Sequence, residues 1–227
     1  MMSNQTFSRR LAAEFIGTAG LLSAIVGSGI MAERLAGGNV AVALLAHTLA
    51  IGAALFALIL VFAEVSGAHL NPVVTLVQLL GKHITTGETV GYVAAQFVGA
   101  AAGVALTNVM FGLSAIIVSQ RYRTGPVLWL SEAVATFGLV VVIAGTARLR
   151  SRFAVPSAVA AYIFAACWFT SSFSFANPAV TLARSLSDTF AGIRPADVPA
   201  YILAQIVGGL AAMLLARWLF AGSEPPA

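Results

Sequence analysis

Two short segments of similar sequence constrain most strongly how this chain folds. Residues 68–76 read AHLNPVVTL and residues 175–182 read FANPAVTL, so each segment contains an asparagine–proline pair. Asparagine is a preferred helix cap, and proline fits the first helical position because the backbone N–H there has no helical partner. We therefore expect helices at residues 71–80 and 177–186.

Both of these helices are too short to cross a membrane. From Pro72 to Leu80 a helix rises only about 14 Å, whereas the hydrocarbon core of a bilayer is about 30 Å thick. Two such half-spans entering from opposite sides would meet near the midplane, with a capping asparagine at each tip.

The composition places the chain in a membrane. Its 227 residues are 59% hydrophobic and only 9% charged, with a mean hydropathy of +0.95, whereas a soluble domain has about 25% charged residues. The net charge of +4 therefore requires no nucleic-acid partner. A single cysteine, Cys167, excludes an intrachain disulfide and a cysteine metal cluster, and we expect neither a metal nor a cofactor.

Apolar runs predict six full spans around the half-helices. We place them at residues 11–30, 40–62, 89–111, 127–147, 153–170 and 198–220. The first run lacks a convincing cleavage site, so we interpret it as a retained span. The predicted fold class is an all-α membrane protein with six transmembrane helices and two re-entrant half-helices. Placing Arg9 and Arg10 inside the cell gives a weak positive-inside bias.

An internal repeat organises these spans. Residues 14–20, EFIGTAG, align with 132–138, EAVATFG, and YVAAQFVG at 92–99 aligns with YILAQIVG at 201–208. Three spans per half is an odd number, so the second half must insert upside down. We expect a first repeat at 1–112, a connection at 113–126 and a second repeat at 127–227. The glycines within the spans predict close helix packing.

The paired Asn-Pro motifs in this arrangement closely resemble those of the aquaporin and aquaglyceroporin (major intrinsic protein) family. The flank Ser66-Gly-Ala-His-Leu-Asn-Pro and the paired Glu14 and Glu132 match as well, and the resemblance covers the whole chain. It implies a passive pore for small neutral solutes in each subunit of a homotetramer. It also implies that Glu14 and Glu132 accept hydrogen bonds from the re-entrant loops. We expect a multi-pass protein of a bacterial inner membrane.

A pore of this kind needs donors, acceptors and a barrier to ions. The positive helix ends would repel protons and cations at the centre, and Asn71 and Asn177 would donate to solute oxygens. Backbone carbonyls at 67–69 and 173–175 would accept hydrogen bonds from the solute. They would face the pore because non-helical backbone at membrane depth is stable only where it lines a water-filled cavity. The central constriction is predicted at Asn71, Pro72, Val73, Asn177, Pro178 and Ala179. The carbonyl positions are Gly67, Ala68, His69, Phe173, Ser174 and Phe175.

The outer selectivity filter departs from the family pattern. Most members follow the second Asn-Pro-Ala with arginine, and here Val180 takes that position. Counting along the motifs gives Ile51, Ala165, Ser174 and Val180 as the filter, with Ala166 as the alternative if the count slips by one. These residues predict a wide opening of low polarity.

Two charged residues lie near the predicted pore. Arg184 would line the vestibule or pair with Asp188; the alternative is that it partly substitutes for the missing arginine. Glu64 would face the inner vestibule or brace a loop. Cys167 is expected to face a neighbouring helix; the alternative is that it faces the pore, where mercurials or trivalent arsenicals would modify it.

Residues 174–193 resemble a bacterial aquaglyceroporin branch associated with arsenic resistance. Trivalent arsenic is the neutral hydroxide As(OH)3 at neutral pH, so arsenite and methylated arsenicals are the expected solutes, with polyols. A generic water or glycerol channel is the alternative. A secondary transporter is the less favoured class, since inverted repeats with broken helices occur there too. No nucleophile–base arrangement indicates an enzyme.

Overall fold

The computed structural model describes residues 5–221, and every regular element in that range is a helix. The α-helices run as follows: α1 Phe7–Leu35, α2 Val40–Ser66, α3 Pro72–Leu80, α4 Thr86–Met110, α5 Pro126–Thr146, α6 Ala154–Phe169, α7 Pro178–Ala183 and α8 Val198–Leu219. Short 3-10 helices follow at Arg184–Leu186 and Pro195–Asp197.

The predicted spans match the long helices to within a few residues at most ends. Five helices of the described chain are long and apolar enough to cross a membrane, and α6 is an apolar helix of 16 residues. The second half-helix is shorter than predicted: α7 has six residues, and a 3-10 turn completes the expected segment to Leu186.

The long helices pack in two similar groups. Helix α1 lies against α4 and α2, α5 lies against α8 and α6, and α2 joins α6 to close the bundle. A Cβ atom on Gly99 would lie 2.4 Å from the carbonyl oxygen of Phe15, and one on Gly208 would lie 2.1 Å from that of Ala133. The prediction that glycines allow close packing of the spans is therefore confirmed.

The two half-helices lie between these groups. Both α3 and α7 contact α4 and α8, and they contact each other. Their first residues belong to the buried interior: Val73 is 1% exposed and Ala179 is fully buried.

The connection between α4 and α5 covers one end of the bundle. Its backbone pairs with the segment that follows α7, through Ile117 N–H to Leu186 O (3.0 Å) and Ser119 N–H to Ser185 O (2.9 Å). We call this end, formed by residues 113–125 and 184–197, the outer end, following the predicted orientation. The opposite end, beyond α3, is the inner end.

Candidate functional site

The asparagines of both motifs cap the half-helices, as predicted. Asn71 Oδ1 accepts from the backbone N–H of Val73 at 2.9 Å, and Asn177 Oδ1 accepts from those of Ala179 and Val180 at 3.0 and 3.3 Å. In both helices proline occupies the first position, where its missing N–H costs no helical hydrogen bond.

The two caps also tie the half-helices together. Asn71 Nδ2 donates to the carbonyl of Ala176 at 2.8 Å, and Asn177 Nδ2 donates to that of Leu70 at 2.7 Å. The helices therefore meet tip to tip in the interior. Since an amide nitrogen carries two hydrogens, each cap has a second donor beyond this cross-link.

The segments before the caps have unusual backbone conformations. Ala68 and Leu70 have φ of 47°, and Ser174 and Ala176 have φ of 46° and 50°. Left-handed backbone costs a residue other than glycine about 1–2 kcal/mol, so these segments need partners that hold them.

Glu14 holds the first segment. Its carboxylate accepts four hydrogen bonds: from Ser66 Oγ (2.6 Å), from the backbone N–H of His69 (3.0 Å) and Leu70 (2.7 Å), and from Gln96 Nε2 (2.8 Å). The side chain is fully buried. These partners satisfy the carboxylate where an unpaired one would be costly.

Glu132 holds the second segment in the same way. Its carboxylate accepts from the N–H groups of Phe175 and Ala176, both at 2.9 Å, and from Gln205 Nε2 at 2.6 Å. Gln205 also donates to Thr181 on α7 at 2.8 Å, just as Gln96 donates to Thr75 on α3 at 2.9 Å. Gln96 and Gln205 occupy matching positions in the two repeats, but sequence reasoning gave them no role. Their recurrence was the signal that could have identified them.

A cavity of about 500 Å³ passes along both segments. At the inner end it is lined by residues including His83, Ile84 and Ala147, and at the outer end by Cys167 and Arg184. Both asparagines and all six predicted carbonyl positions lie in its wall: Gly67, Ala68, His69, Phe173, Ser174, Phe175, Asn71 and Asn177. Within the described part of the chain, no aspartate or glutamate lines this cavity. The other residues predicted for the central constriction, Pro72, Val73, Pro178 and Ala179, are not among the lining residues. They form the first turns of the two half-helices.

Three of the four predicted filter residues line the cavity, and one does not. Ile51, Ser174 and Val180 lie in its wall, whereas Ala165 is on the exposed face of α6. Placing Ala165 in the filter was therefore wrong. Ile163 and Cys167 line the cavity instead, because residues four apart share a helix face. Ala166, the alternative, is buried but outside the lining.

Cys167 also differs from expectation. It was expected to face a neighbouring helix, but it lies in the cavity wall, where its Sγ donates to the carbonyl of Phe173 at 3.5 Å. The thiol is free and the residue is 5% exposed.

The structure also locates the two charged residues that were expected near the pore. Arg184 lies in the outer wall, as the vestibule assignment expected, but it does not pair with Asp188, whose carboxylate accepts from the backbone N–H of Gln120 at 2.9 Å. Glu64 is exposed on α2, outside the cavity lining, and makes no hydrogen bond to the described loops, so neither role expected for it is found.

One arginine that sequence reasoning missed supports the outer segment. The guanidinium of Arg123 lies 4.8 Å from the ring centre of Phe173 and 5.2 Å from that of Phe175, and it donates to the carbonyls of Gly192 and Phe190 at 2.7 and 3.2 Å. A loop arginine has no periodicity that would mark this role. Between residues 5 and 221, no group of side chains is arranged to hold a metal ion.

Comparisons with known proteins agree with this geometry. A profile of the family described as "Major intrinsic protein" matches residues 1–175. The chain is 48% identical to aquaglyceroporin AqpS of Rhizobium meliloti (strain 1021), over 99% of this chain and 95% of that protein. It is 32% identical to aquaporin AqpM of Methanothermobacter marburgensis, over 94% and 98%. The solved aquaglyceroporin of Plasmodium falciparum superimposes with a TM-score of 0.75 at 22% identity, covering 95% of this chain and 98% of that one.

The fold and the cavity define a multi-pass membrane channel of the aquaporin and aquaglyceroporin type. The chain belongs to the major intrinsic protein family. It is therefore a passive channel and not an enzyme.

Proposed function

We propose that this channel conducts trivalent arsenic, as arsenite and methylated arsenicals, together with polyols such as glycerol. The observation that carries the proposal is Val180: it lies in the cavity wall at the position where most family members have arginine. Valine removes both the bulk and the hydrogen-bond donors of that arginine. A bulky neutral hydroxide then has room to pass.

The rest of the cavity suits such a solute. Ile51, Val159 and Ile163 give the wall a largely apolar surface, while donors and acceptors are concentrated along the two re-entrant segments. As(OH)3 and glycerol each present several hydroxyl groups to that polar stripe and carbon or arsenic to the apolar side. The name of the relative AqpS, an aquaglyceroporin, supports the polyol part of the proposal.

We assign the central selectivity to the joined half-helix tips. Asn71 and Asn177 would donate their second amide hydrogens to solute oxygens, and the carbonyls of 67–69 and 173–175 would accept solute hydrogens. Helix α7 is only six residues long, so its dipole adds less to the ion barrier than the sequence suggested.

We propose an inverted-repeat architecture for this channel. Two inverted halves, 1–112 and 127–227, joined by 113–126, are supported by the matching hydrogen bonds of Glu14 and Glu132. We also propose a homotetramer in a bacterial inner membrane, with one pore in each subunit and the surrounding lipid bilayer as its environment.

A generic water and glycerol channel is the second candidate. The observation that favours it is Arg184, whose side chain lies in the same cavity wall as Val180 and is a second source of guanidinium donors. Water flux that greatly exceeds arsenite flux would favour this candidate. Flux coupled to a proton or sodium gradient would instead indicate a transporter.

Substituting Val180 with arginine tests the proposed solute. We expect arsenite and glycerol flux to fall by about tenfold, because the restored guanidinium narrows the outer opening and a barrier increase of about 1.4 kcal/mol produces a change of that size. The measurement is stopped-flow swelling of proteoliposomes in gradients of water, glycerol and As(OH)3. Val180→Thr, which is nearly isosteric, is the matched control. Unchanged arsenite flux in Val180→Arg would show that the opening at this position does not set solute size.

Cys167 provides a second test of the same cavity. Soft metal ions bind thiols, so a membrane-permeant mercurial should stop most glycerol flux through the wild-type protein, and excess thiol should restore it. Cys167→Ser keeps a donor for the Phe173 carbonyl and should be insensitive. Because the chain has one cysteine, equal inhibition of both proteins would mean that mercury acts elsewhere and that the thiol is not in the conducting path.

A further inference from the structure

Arg184 is a buried cation in the wall of the cavity at its outer end. The residue is 3% exposed, its Nε donates to the carbonyl of Ala191, and its guanidinium carbon lies 3.4 Å from the ring centre of Phe175. Stacking on an aromatic face is a favourable setting for a guanidinium. This stack fixes the position of the positive charge beside the cavity.

Among residues 5–221, no carboxylate forms an ion pair with Arg184. The ion pairs of the described residues involve Arg10, Arg121 and Arg194, and Asp188 is engaged by the connecting loop. The terminal nitrogens of Arg184 donate to no residue between 5 and 221. An unpaired charge inside a membrane protein is costly, and such residues usually mark a solute path.

A second polar group beside it also lacks a partner. Ser174 lines the same cavity and is 5% exposed, and its Oγ makes no hydrogen bond within the described chain. Buried hydroxyls normally find a partner. The outer wall thus contains guanidinium donors without a partner among the described residues, whereas the unpaired Ser174 hydroxyl is enclosed by protein atoms. Val180, in the same wall, provides no polar group.

The stack that holds Arg184 is itself supported. Phe175 contacts Tyr201 edge to face at 5.3 Å between ring centres, and its backbone N–H is bound by Glu132. Arg123 approaches the same ring at 5.2 Å. The ring therefore has little freedom to move, and the guanidinium stacked on it is already in position before a solute enters.

We propose that Arg184 is the specificity-determining cation of the outer constriction in this channel. It acts from one helical turn beyond Val180, repelling cations and donating hydrogen bonds to solute hydroxyl oxygens. The wall then keeps its ion barrier and its polar recognition while the valine leaves the opening wide. This inference rests on the proposed channel for neutral hydroxylated solutes, but it does not depend on arsenic being one of them.

The test compares Arg184→Gln, Arg184→Lys and a control, Arg121→Gln. Glutamine keeps a donor for the Ala191 carbonyl and removes the charge, whereas lysine keeps the charge and loses the planar stack. Arg121 is an exposed arginine of the same end, paired with Glu33 at 3.0 Å and absent from the cavity lining. Proteoliposomes report sodium and proton leak with entrapped dyes and glycerol flux by swelling.

We expect cation leak to rise by about tenfold or more in Arg184→Gln, since a unit charge a few ångströms from the path changes an ion's energy by more than the about 1.4 kcal/mol that this factor requires. Leak should stay near the wild-type value in Arg184→Lys and Arg121→Gln. The ratio of glycerol flux to water flux should fall in Arg184→Gln, because hydroxyl recognition is lost.

Two results would overturn the inference. One is an Arg184→Gln channel that conducts glycerol with wild-type leak and an unchanged glycerol-to-water ratio. The other is an Arg184→Lys channel as leaky as Arg184→Gln, which would indicate that the arginine only braces the loop at Ala191. If Arg184→Gln does not assemble, as judged by size-exclusion chromatography, the leak of Arg184→Lys decides alone. Failure of arsenite flux in the wild type would refute the proposed solute without touching these measurements.

Discussion

Glu132→Leu is expected to abolish solute flux and to destabilise the protein severely. The substitution leaves the backbone N–H groups of Phe175 and Ala176 and the amide of Gln205 without their acceptor in a fully buried site. Each unsatisfied buried donor costs about 1–3 kcal/mol, so together they cost more than about 3 kcal/mol. That is a large part of the about 5–15 kcal/mol that stabilises a typical protein.

The same carboxylate also maintains the strained conformation of the outer segment. Without it, Phe175 and Ala176 lose the backbone hydrogen bonds that hold the left-handed conformation of this segment, and the cavity wall loses its shape. The measurements are the thermal midpoint in detergent and glycerol flux per assembled protein. Glu64→Leu is the matched control, because Glu64 is exposed and lies outside the cavity. A Glu132→Leu channel with normal flux would contradict the bracing role.

The features that the sequence predicted correctly depend on local rules. An Asn-Pro pair specifies a cap and a first helical residue wherever it occurs, so the half-helix starts followed directly. Long apolar runs specify spans for the same reason. The paired glutamates were assigned through the resemblance, and the structure places each one against the backbone of its re-entrant segment.

The features that could not be predicted depend on contacts distant in sequence or on helical phase. Cys167 rather than Ala165 faces the cavity because packing against α2 and α5 sets the rotation of α6 about its axis. Counting residues back from the Asn-Pro motif gives no information about that rotation. Arg123 and Arg184 meet at Phe175 from different loops. Their positions depend on how residues 113–125 fold over the outer end, where irregular backbone has no periodic signal.

Gly208→Val is expected to prevent stable assembly of the helix bundle. Even the Cβ atom alone would lie 2.1 Å from the carbonyl oxygen of Ala133, and both atoms belong to rigid helix backbones, so α5 and α8 must move apart. Overpacking in a core costs about 1–3 kcal/mol when side chains can adjust, and here they cannot, so the loss should exceed that range. Separating α8 from α5 would also pull Gln205 away from Glu132, so flux should disappear along with stability.

The comparison variant is Gly145→Ala on α5, where the nearest atom to a new Cβ is a ring carbon of Phe220 at 3.4 Å. That distance is an ordinary contact, and we expect its thermal midpoint and flux to stay close to wild type. If Gly208→Val and Gly145→Ala were equally stable, α5 and α8 would be farther apart than the structure shows. The bonds that join Glu132, Gln205 and α7 could then not form at the observed distances, so the shape of the pore depends on this helix contact.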